Sequence, residues 1–234
     1  MKIGIIIAMD KEFKRIASLL ENSGTETFDG MNYVKGTLSD GKELILQHCG
    51  MGKVNSTIGA TLLIRQYHPD LIISSGVAGG ASLSLDIKDV VVSTKVAYHD
   101  AYYGSNNAYG QVQGMPLYYE SPQKLIDCAL NIDADVKVKS GLIVTGDWFV
   151  DSKDKMKSIL QSFPDALAVD MESTSIAQVC HIYGVPFVSF RIISDIALAE
   201  NNAAMYENFW DEIADSSFNV SHQFINSIPT SLQS

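Results

Sequence analysis

The first residues of the chain, KIGIIIA (Lys2–Ala8), form a continuous apolar run rich in isoleucine, and they indicate its fold class. Because apolar and polar residues do not alternate in this run, it predicts a central β-strand covered on both faces. Asp10 follows and predicts the start of a helix, with Phe13 and Ile16 on its apolar face and a stop near Gly24. A buried strand that leads directly into a helix is typical of α/β proteins.

Strands and helices alternate in the same way along the rest of the chain. The stretch Tyr98–Tyr119 has neither periodicity and is rich in Tyr, Gly, Asn and Gln, which predicts a long loop with a functional or interface role. No linker, repeat or composition break interrupts the pattern, so we expect one domain over residues 1–234, an α/β three-layer αβα sandwich. The further predicted strands are 32–36, 43–48, 71–75, 89–96, 136–145, 167–171 and 187–193, and the helices are 53–68, 122–130, 153–163, 173–183 and 208–228.

Composition limits the classes of partner. The 234 residues are 46% hydrophobic and 19% charged, and 17 basic against 27 acidic residues give a net charge of −10. That charge disfavours nucleic acid and anionic membranes as partners, and no apolar run reaches the roughly 18 to 20 residues of a membrane span. Cys49, Cys128 and Cys180 are far apart and show no CxxC spacing, which indicates free thiols in a reducing compartment. We therefore expect a cytoplasmic protein.

Common cofactor and metal motifs are absent from the sequence. The turn after the first predicted strand, Ala8–Glu12, lacks the glycines of a dinucleotide-binding loop. The segment Gly50–Lys53 is followed by Val54 and lacks the earlier glycine of a phosphate-binding Walker loop. The five histidines show no metal-ligand spacing. We expect neither a cofactor nor a metal.

Three acidic residues follow predicted strand ends. Glu12 lies one helical turn beyond the first strand, Glu172 follows the strand at 167–171, and Asp195 follows the strand at 187–193. Gly76–Gly80 ends another strand with little side-chain bulk, so backbone N–H groups there can approach a ligand. In an open α/β sheet such strand ends meet at one edge, which predicts a shared pocket. The alternative is that each acid is only a helix N-cap or first-turn residue.

A series of motifs in a fixed order extends along nearly the whole chain. These motifs include the opening residues with Glu12, Gly50-x-Gly52-Lys53-Val54, Gly76-x-Ala78-Gly79-Gly80, Tyr98-His99-Asp100, Thr145-Gly146-Asp147-x-Phe149, Val169-x-Met171-Glu172 and Arg191-x-Ile193-Ser194-Asp195. The series resembles the 5′-methylthioadenosine/S-adenosylhomocysteine nucleosidases of the purine nucleoside phosphorylase-like superfamily. That resemblance implies a nucleoside phosphorylase/hydrolase-like fold with a mixed central sheet.

The resemblance implies a catalytic arrangement for hydrolysis of an N-glycosidic bond. Asp195 matches the proton donor to N7 of adenine, and Ser194 beside it is expected to orient it. Glu12 matches the base that activates water, with Arg191 close enough to orient it. Glu172 resembles the residue that binds the ribose hydroxyls, and its charge favours the positive charge that develops on the sugar.

The remaining substrate contacts are also implied by the resemblance. Adenine would stack on Phe149 while the backbone of Val150 reads its edge. The thioether group would lie on soft apolar residues, although core packing remains an alternative for one of them, Met51. The residues implied around the ribose, the alkylthio group and the glycine-rich turn are Met9, Met51, Met171 and Gly79. The resemblance further implies a homodimer, a nucleoside as the small-molecule partner, and a part in methionine salvage.

The sequence departs from the family pattern at four places. Val77 stands where many relatives have serine, Trp148 stands where they have a smaller residue, and the loop Ala101–Tyr119 differs from theirs; in relatives that loop helps form the dimer and the neighbour's 5′ pocket. The segment Ile196–Trp210 also differs, with Tyr206 nearest the pocket-lid phenylalanine. Preference among 5′ substituents therefore stays open. Two alternatives remain: a phosphorylase of the same fold, and a nucleoside-binding relative without catalysis.

Overall fold

A computed structural model describes residues 1–18, 20, 23–210 and 219–232. The strands are β1 (Lys2–Ile7), β2 (Gly24–Phe28), β3 (Met31–Thr37), β4 (Glu43–His48), β5 (Leu71–Gly80), β6 (Val90–Tyr98), β7 (Tyr119–Glu120), β8 (Val138–Thr145), β9 (Ala166–Asp170) and β10 (Phe187–Ile196). The helices are α1 (Asp10–Ser18), α2 (Lys53–Tyr67), α3 (Gln123–Leu130), α4 (Lys153–Ser162), α5 (Ser173–Tyr183), α6 (Asn202–Asn208) and α7 (Asn219–Ser227).

The strands join in one mixed sheet, as expected from the sequence. Its order is β10-β6-β8-β9-β5-β1-β4-β3-β2, with β7 paired to β6. Strand β5 pairs in parallel with both β1 and β10 and meets the end of β9 in antiparallel register. Because β10 also pairs with β6, the strands β5, β9, β8, β6 and β10 close into a ring. This half of the sheet is therefore closed, where the sequence suggested an open sheet.

Helices cover both faces of the sheet and produce two main cores. In β1, Ile3 and Ile5 pack into a core shared with α1, α3 and α7, whereas Ile6 packs into the core under α2 and α5. Gly4 between them lets α2 approach closely, because a Cβ there would lie 2.6 Å from a methyl group of Leu63. This two-sided burial explains the apolar run without alternation and confirms the predicted α/β class.

The element boundaries differ from the sequence predictions in several places. Helix α1 ends at Ser18, well before Gly24, which instead begins the unpredicted strand β2. Strand β5 continues through Gly76–Gly80, so these glycines belong to the strand and do not form a turn after it. Helix α6 was also not predicted, and of the predicted last helix at 208–228, residues 211–218 lie outside the described residues.

The parallel strands direct several chain segments toward one end of the sheet. Arg191 of β10 is in register with Gly76 of β5, and Asp195 is in register with Gly79, with a bulge between Ile193 and Asp195. Within the described ranges, no helix is long and apolar enough to cross a bilayer.

Candidate active site

A cleft of about 630 Å³, its open mouth included, lies where β1, β5, β9 and β10 converge. The structure brings all eleven of the predicted site residues into its lining. Seven further residues line it, of which Val77, Trp148 and Tyr206 had been noted only as departures. The predicted residues in the lining are Glu12, Asp195, Met9, Met51, Gly79, Phe149, Val150, Met171, Glu172, Arg191 and Ser194, and the remaining four are Ala8, Ala78, Val169 and Asp170.

Glu12 is buried in the first turn of α1 with its carboxylate held by backbone donors. The amide of Val77 donates to Oε1 at 3.0 Å and the amide of Met9 donates to Oε2 at 3.3 Å. The bond to Met9 is of the capping-box type, so the helix-cap interpretation holds in part. Burial raises the pKa of Glu12 to about 7, although the nearby charge of Arg191 opposes this. A carboxylate with such a pKa can exchange a proton near neutrality.

Glu172 occupies the N-cap position of α5 but its side chain makes no capping hydrogen bond there. Its Oε1 instead accepts from the amide of Gly52, 2.8 Å away at the start of α2. The helix-cap alternative is therefore wrong for Glu172, because its carboxylate is bonded to the start of another helix, α2. Burial raises the pKa of Glu172.

Asp195 lies in β10 at the bulge that interrupts its pairing with β5. The hydroxyl of Ser194 donates to Asp195 Oδ1 at 2.8 Å, and a bulge of this kind re-aims neighbouring side chains. A Cβ at Gly79 would lie 3.4 Å from Asp195 Oδ2, so the glycine leaves room beside the carboxylate. Burial raises the pKa of Asp195 to about 6, while the bond from Ser194 opposes this. The acid is thus partly protonated near neutral pH.

Arg191 is fully buried and its strongest partner is a residue that sequence reasoning had not assigned. Its Nη2 lies 2.9 Å from Asp170 Oδ2 and 3.9 Å from Glu172 Oε2. Nη2 also donates to Ser74 Oγ at 2.7 Å. Arg191 was expected to lie near Glu12, and the two side chains do approach each other at Gly76. A Cβ placed on Gly76 would lie 2.6 Å from Arg191 Nη1 and 3.1 Å from both Glu12 oxygens. Asp170 stands two residues before Glu172 in the sequence, but its partner Arg191 lies on another strand, so local sequence gave no reason to assign it.

Aromatic residues form the mouth of the cleft. Phe149 is 45% exposed and packs edge-on against Tyr206, with ring centroids 5.2 Å apart. The Tyr206 hydroxyl donates to Met9 Sδ at 3.5 Å. Trp148 is 54% exposed, and Lys155 Nζ lies 4.5 Å from its ring centre. Phe149 is therefore accessible from the cleft entrance.

The other predicted contact residues occupy different depths of the cleft. Val150 is buried, and its carbonyl accepts a hydrogen bond from Asn202 Nδ2 at 2.9 Å. This bond connects α6 to the segment after β8 that carries Phe149 and Val150. Met51 is 59% exposed, so core packing, the alternative considered for it, is wrong. Met171 lines the cleft in a half-buried position between Asp170 and Glu172.

The loop after β6 carries exposed aromatic residues. Tyr102 and Tyr103 on this loop are 64% and 53% exposed. Asp100 accepts from Lys53 Nζ at 2.7 Å and from the amide of Asp147 at 2.9 Å, which joins this loop to α2 and to the segment carrying Phe149. Across the part of the chain that the structure describes, no group of three or more His, Cys, Asp or Glu side chains has the arrangement of a metal site.

Comparison with known proteins agrees with this geometry. Residues 2–226 match the model of the phosphorylase superfamily. A 5′-methylthioadenosine/S-adenosylhomocysteine nucleosidase of Bacillus thuringiensis (strain Al Hakam) is 40% identical over 218 residues, covering 92% of this chain and 94% of that protein.

Two solved nucleosidase structures are similar over nearly their whole length. The enzyme of S. pneumoniae with the transition-state inhibitor MT-ImmA has a TM-score of 0.90 and 34% identity, covering 98% of this chain and all of that one. The enzyme of Colwellia psychrerythraea 34H in complex with adenine has a TM-score of 0.92 and 29% identity, covering 100% and 98%. The resemblance seen in the motifs is thereby confirmed: the chain belongs to the phosphorylase superfamily and, within it, to the 5′-methylthioadenosine/S-adenosylhomocysteine nucleosidases.

Proposed function

We propose that this protein hydrolyses the N-glycosidic bond of 5′-methylthioadenosine and S-adenosylhomocysteine, releasing adenine and the 5-thioribose product. The observation that carries the proposal is the convergence of Glu12, Glu172 and Asp195, all buried, on one cleft with an accessible aromatic ring at its mouth. The names of the relatives and their bound adenine or transition-state inhibitor support the same substrate class.

In this proposal Asp195 is the general acid. Adenine leaves readily only when N7 is protonated, so the reaction needs a neutral carboxyl close to the base. Burial of Asp195 favours its protonated form. The hydroxyl of Ser194, 2.8 Å from Oδ1, orients the group so that Oδ2 remains available to the base.

Glu12 acts as the general base that activates water. Its two oxygens each accept one backbone hydrogen bond, from Val77 and Met9, which holds the carboxylate in one orientation. The proton taken from water passes to Glu12 as the C–N bond breaks, and the hydroxide oxygen forms the new bond to the sugar. Arg191 helps to orient Glu12 from the other side of Gly76.

Glu172 binds the ribose hydroxyls and stabilises positive charge on the sugar ring in the transition state. Phe149 stacks on adenine, Val150 reads the edge of the base, and Gly79 leaves space beside Asp195. The three methionines of the cleft, Met9, Met51 and Met171, give the thioether group a soft apolar surface.

The alternative of a phosphorylase is disfavoured by the charges in the cleft. Among the described residues that line it, Arg191 is the single cation, and its Nη2 is already paired with Asp170 at 2.9 Å. A phosphate would have to enter beside several carboxylates without a cation to receive it.

The test is adenine release from both substrates in phosphate-free buffer, followed by chromatography. We expect release at the same rate with and without added phosphate, and a free 5-thioribose as the second product. Strict dependence on phosphate would establish a phosphorylase, and tight binding of methylthioadenosine without release would establish a non-catalytic relative. A panel of 5′ substituents, measured on the wild type and on Tyr206→Phe, would define the preference that the sequence left open.

We further propose that residues 1–234 act as one nucleosidase domain and that two copies form a homodimer. The continuous sheet supports the first statement. For the second, Val54 and Ile58 expose 69% and 45% of their surface on one face of α2, close in sequence to the cleft residue Met51, and Tyr102 adds to the exposed apolar residues. Sedimentation of Val54→Glu/Ile58→Glu should show monomers, whereas Leu83→Glu, at an exposed leucine elsewhere, should leave the dimer intact.

A cytoplasmic location and a part in methionine salvage complete the proposal. The three free cysteines, two of them buried, suit a reducing compartment. Cell fractionation with an antibody to the protein, and accumulation of methylthioadenosine in cells lacking it, would test these two statements.

A further inference from the structure

Asp170 is a buried carboxylate for which the proposed reaction has no use. It lies at the end of β9 with 2% of its side chain exposed. Thr145 Oγ1 donates to its Oδ1 at 2.6 Å, and the amide and hydroxyl of Ser173 also donate to it. Arg191 Nη2 completes this set at 2.9 Å. A carboxylate so fully surrounded by donors is held in one place, where it can fix the position of its neighbours.

Arg191 divides its guanidinium group between two sides. Nη2 and Nε donate to Ser173, Ser74 and Ser189, on the same side as Asp170. Nη1 lies on the other side, against Gly76, where both oxygens of Glu12 also approach. The planar guanidinium group cannot turn without moving both sides together.

Three buried carboxylates, those of Glu12, Asp170 and Glu172, lie near the single guanidinium group of Arg191. The guanidinium lies closer to Asp170, at 2.9 Å, than to Glu172, at 3.9 Å. A cation that is already paired gives less stabilisation to a second carboxylate. Burial is the largest influence on the pKa of Glu12 and of Glu172 and raises both, while the charge of Arg191 opposes it.

We propose that Asp170 is a positioning residue: its ion pair with Nη2 holds the guanidinium of Arg191 with Nη1 toward Glu12. The negative charge of Asp170 also offsets part of the stabilisation that Arg191 gives to the Glu12 carboxylate. This proposal rests on the proposed function, because it assigns Glu12 the role of base. The other titratable groups that act on or near Glu12 are Asp195 from β10, Glu172 from the start of α5, Tyr206 from α6 and Cys49 after β4.

The first experiment measures the pKa of Glu12 without substrate. Wild type, Asp170→Asn and the control Asp89→Asn, a buried aspartate outside the cleft, are labelled with ¹³C at the glutamate carboxyl groups. The Glu12 signal is identified by its loss in Glu12→Gln. We expect Asp170→Asn to lower the pKa of Glu12 by about 1 unit, because Arg191 then acts on it without a competitor. Asp89→Asn should change nothing, and an unchanged value in folded Asp170→Asn overturns the proposal.

A second measurement uses the wild type alone and serves if Asp170→Asn does not fold. The chain contains three arginines, Arg15, Arg65 and Arg191, so ¹⁵N spectra of the guanidinium groups are simple. A guanidinium held by Asp170 and the serines should show separate Nη1 and Nη2 signals for Arg191. A single averaged signal would mean that the group rotates, which overturns the proposal.

Measuring adenine release distinguishes a failure of the positioning proposal from a failure of the proposed function. We expect Asp170→Asn to lower kcat by as much as about 100-fold with little change in KM, because the base is misplaced while substrate contacts persist. If the wild type releases no adenine but the pKa of Glu12 still falls in Asp170→Asn, the function fails and the positioning stands. If the wild type is active and that pKa does not move, the function stands and the positioning fails.

Discussion

The carboxylate of Glu172 accepts a hydrogen bond from the amide of Gly52 at 2.8 Å, across 120 residues of sequence. The bond links the start of α5 to the start of α2, and it places a buried acid over the cleft where the residue could simply have capped its own helix. Gly52 has a φ of 89°, which is why a glycine is needed there.

Gly52→Ala should therefore disturb both stability and ribose binding. The new Cβ would lie 3.0 Å from Asp147 Oδ1 and would also be strained by the positive φ. We expect a loss of about 1 to 2 kcal/mol in the free energy of unfolding by urea, and a raised KM. Gly30→Ala, at a φ of 76° with open space around it, is the control for strain alone and should leave KM unchanged.

Asp195→Asn should lower kcat by about 100-fold or more, since the amide cannot give a proton to adenine. The measurement is adenine release under saturating substrate, with circular dichroism to show that the fold is intact. Asp89→Asn serves as the matched buried control and should retain full turnover. Retained activity in Asp195→Asn would show that another group supplies the proton.

The pH dependence of kcat/KM follows from the two acids. Activity needs Asp195 protonated, with a pKa of about 6, and Glu12 ionised, with a pKa of about 7. Raising the pH removes the proton of Asp195 and lowering it protonates Glu12, so the profile should be a bell with its maximum between these values. Rates measured from pH 4.5 to 9 test this, and a flat profile from pH 5 to 8 would contradict the assignment.

Stability should depend on pH through Glu12. Its pKa rises from 4.5 in the unfolded chain to about 7 in the fold. The native state therefore holds the proton more tightly, and the stability this contributes is complete below pH 4.5 and lost as pH rises through 7. Glu12→Gln cannot ionise, so between pH 5 and pH 8 it should lose less unfolding free energy than the wild type, by on the order of 1 to 3 kcal/mol.

The control for that comparison is Glu43→Gln, at an exposed glutamate, which should lose as much stability as the wild type over the same range. Urea titrations at the two pH values give the numbers. Parallel losses in the wild type and Glu12→Gln would mean that Glu12 titrates alike in the folded and unfolded chain.

Lys42→Met should weaken the fold without altering the chemistry. The fully buried Nζ donates to the carbonyls of Ile225, Asn226 and Ile228 at the end of α7 and pairs with Asp40 at 2.9 Å. Its loss leaves buried carbonyls without a donor, so we expect a cost of about 3 kcal/mol in urea unfolding with kcat unchanged at low temperature.

Lys14→Met is the control for Lys42→Met, because Lys14 is 73% exposed and pairs with Asp10 on the surface. It should cost less than about 0.5 kcal/mol. Equal effects of the two substitutions would show that the bonds to the end of α7 contribute little.

Much of the site was predictable because its acids follow buried strands. The apolar run of β1 predicts a helix that starts at Asp10 and carries Glu12 in its first turn, and Glu172 likewise follows the predicted strand that becomes β9. The bulge beside Asp195 and the continuation of β5 through Gly80 carry no signal in local residue patterns, because both arise from pairing with a distant strand. Asp170 was passed over for the same reason: a buried acid is explained only by its partner.

The sequence by itself predicted the α/β class and most of the element order, since periodicity is a local property of the chain, and its motifs predicted eleven of the residues that line the cleft. The tertiary structure alone decided the closed half of the sheet, the pairing of Arg191 with Asp170 and the reach of Glu172 to Gly52. Charges and hydrogen bonds act through space over a few ångströms, so their partners are chosen by the fold and not by distance along the chain.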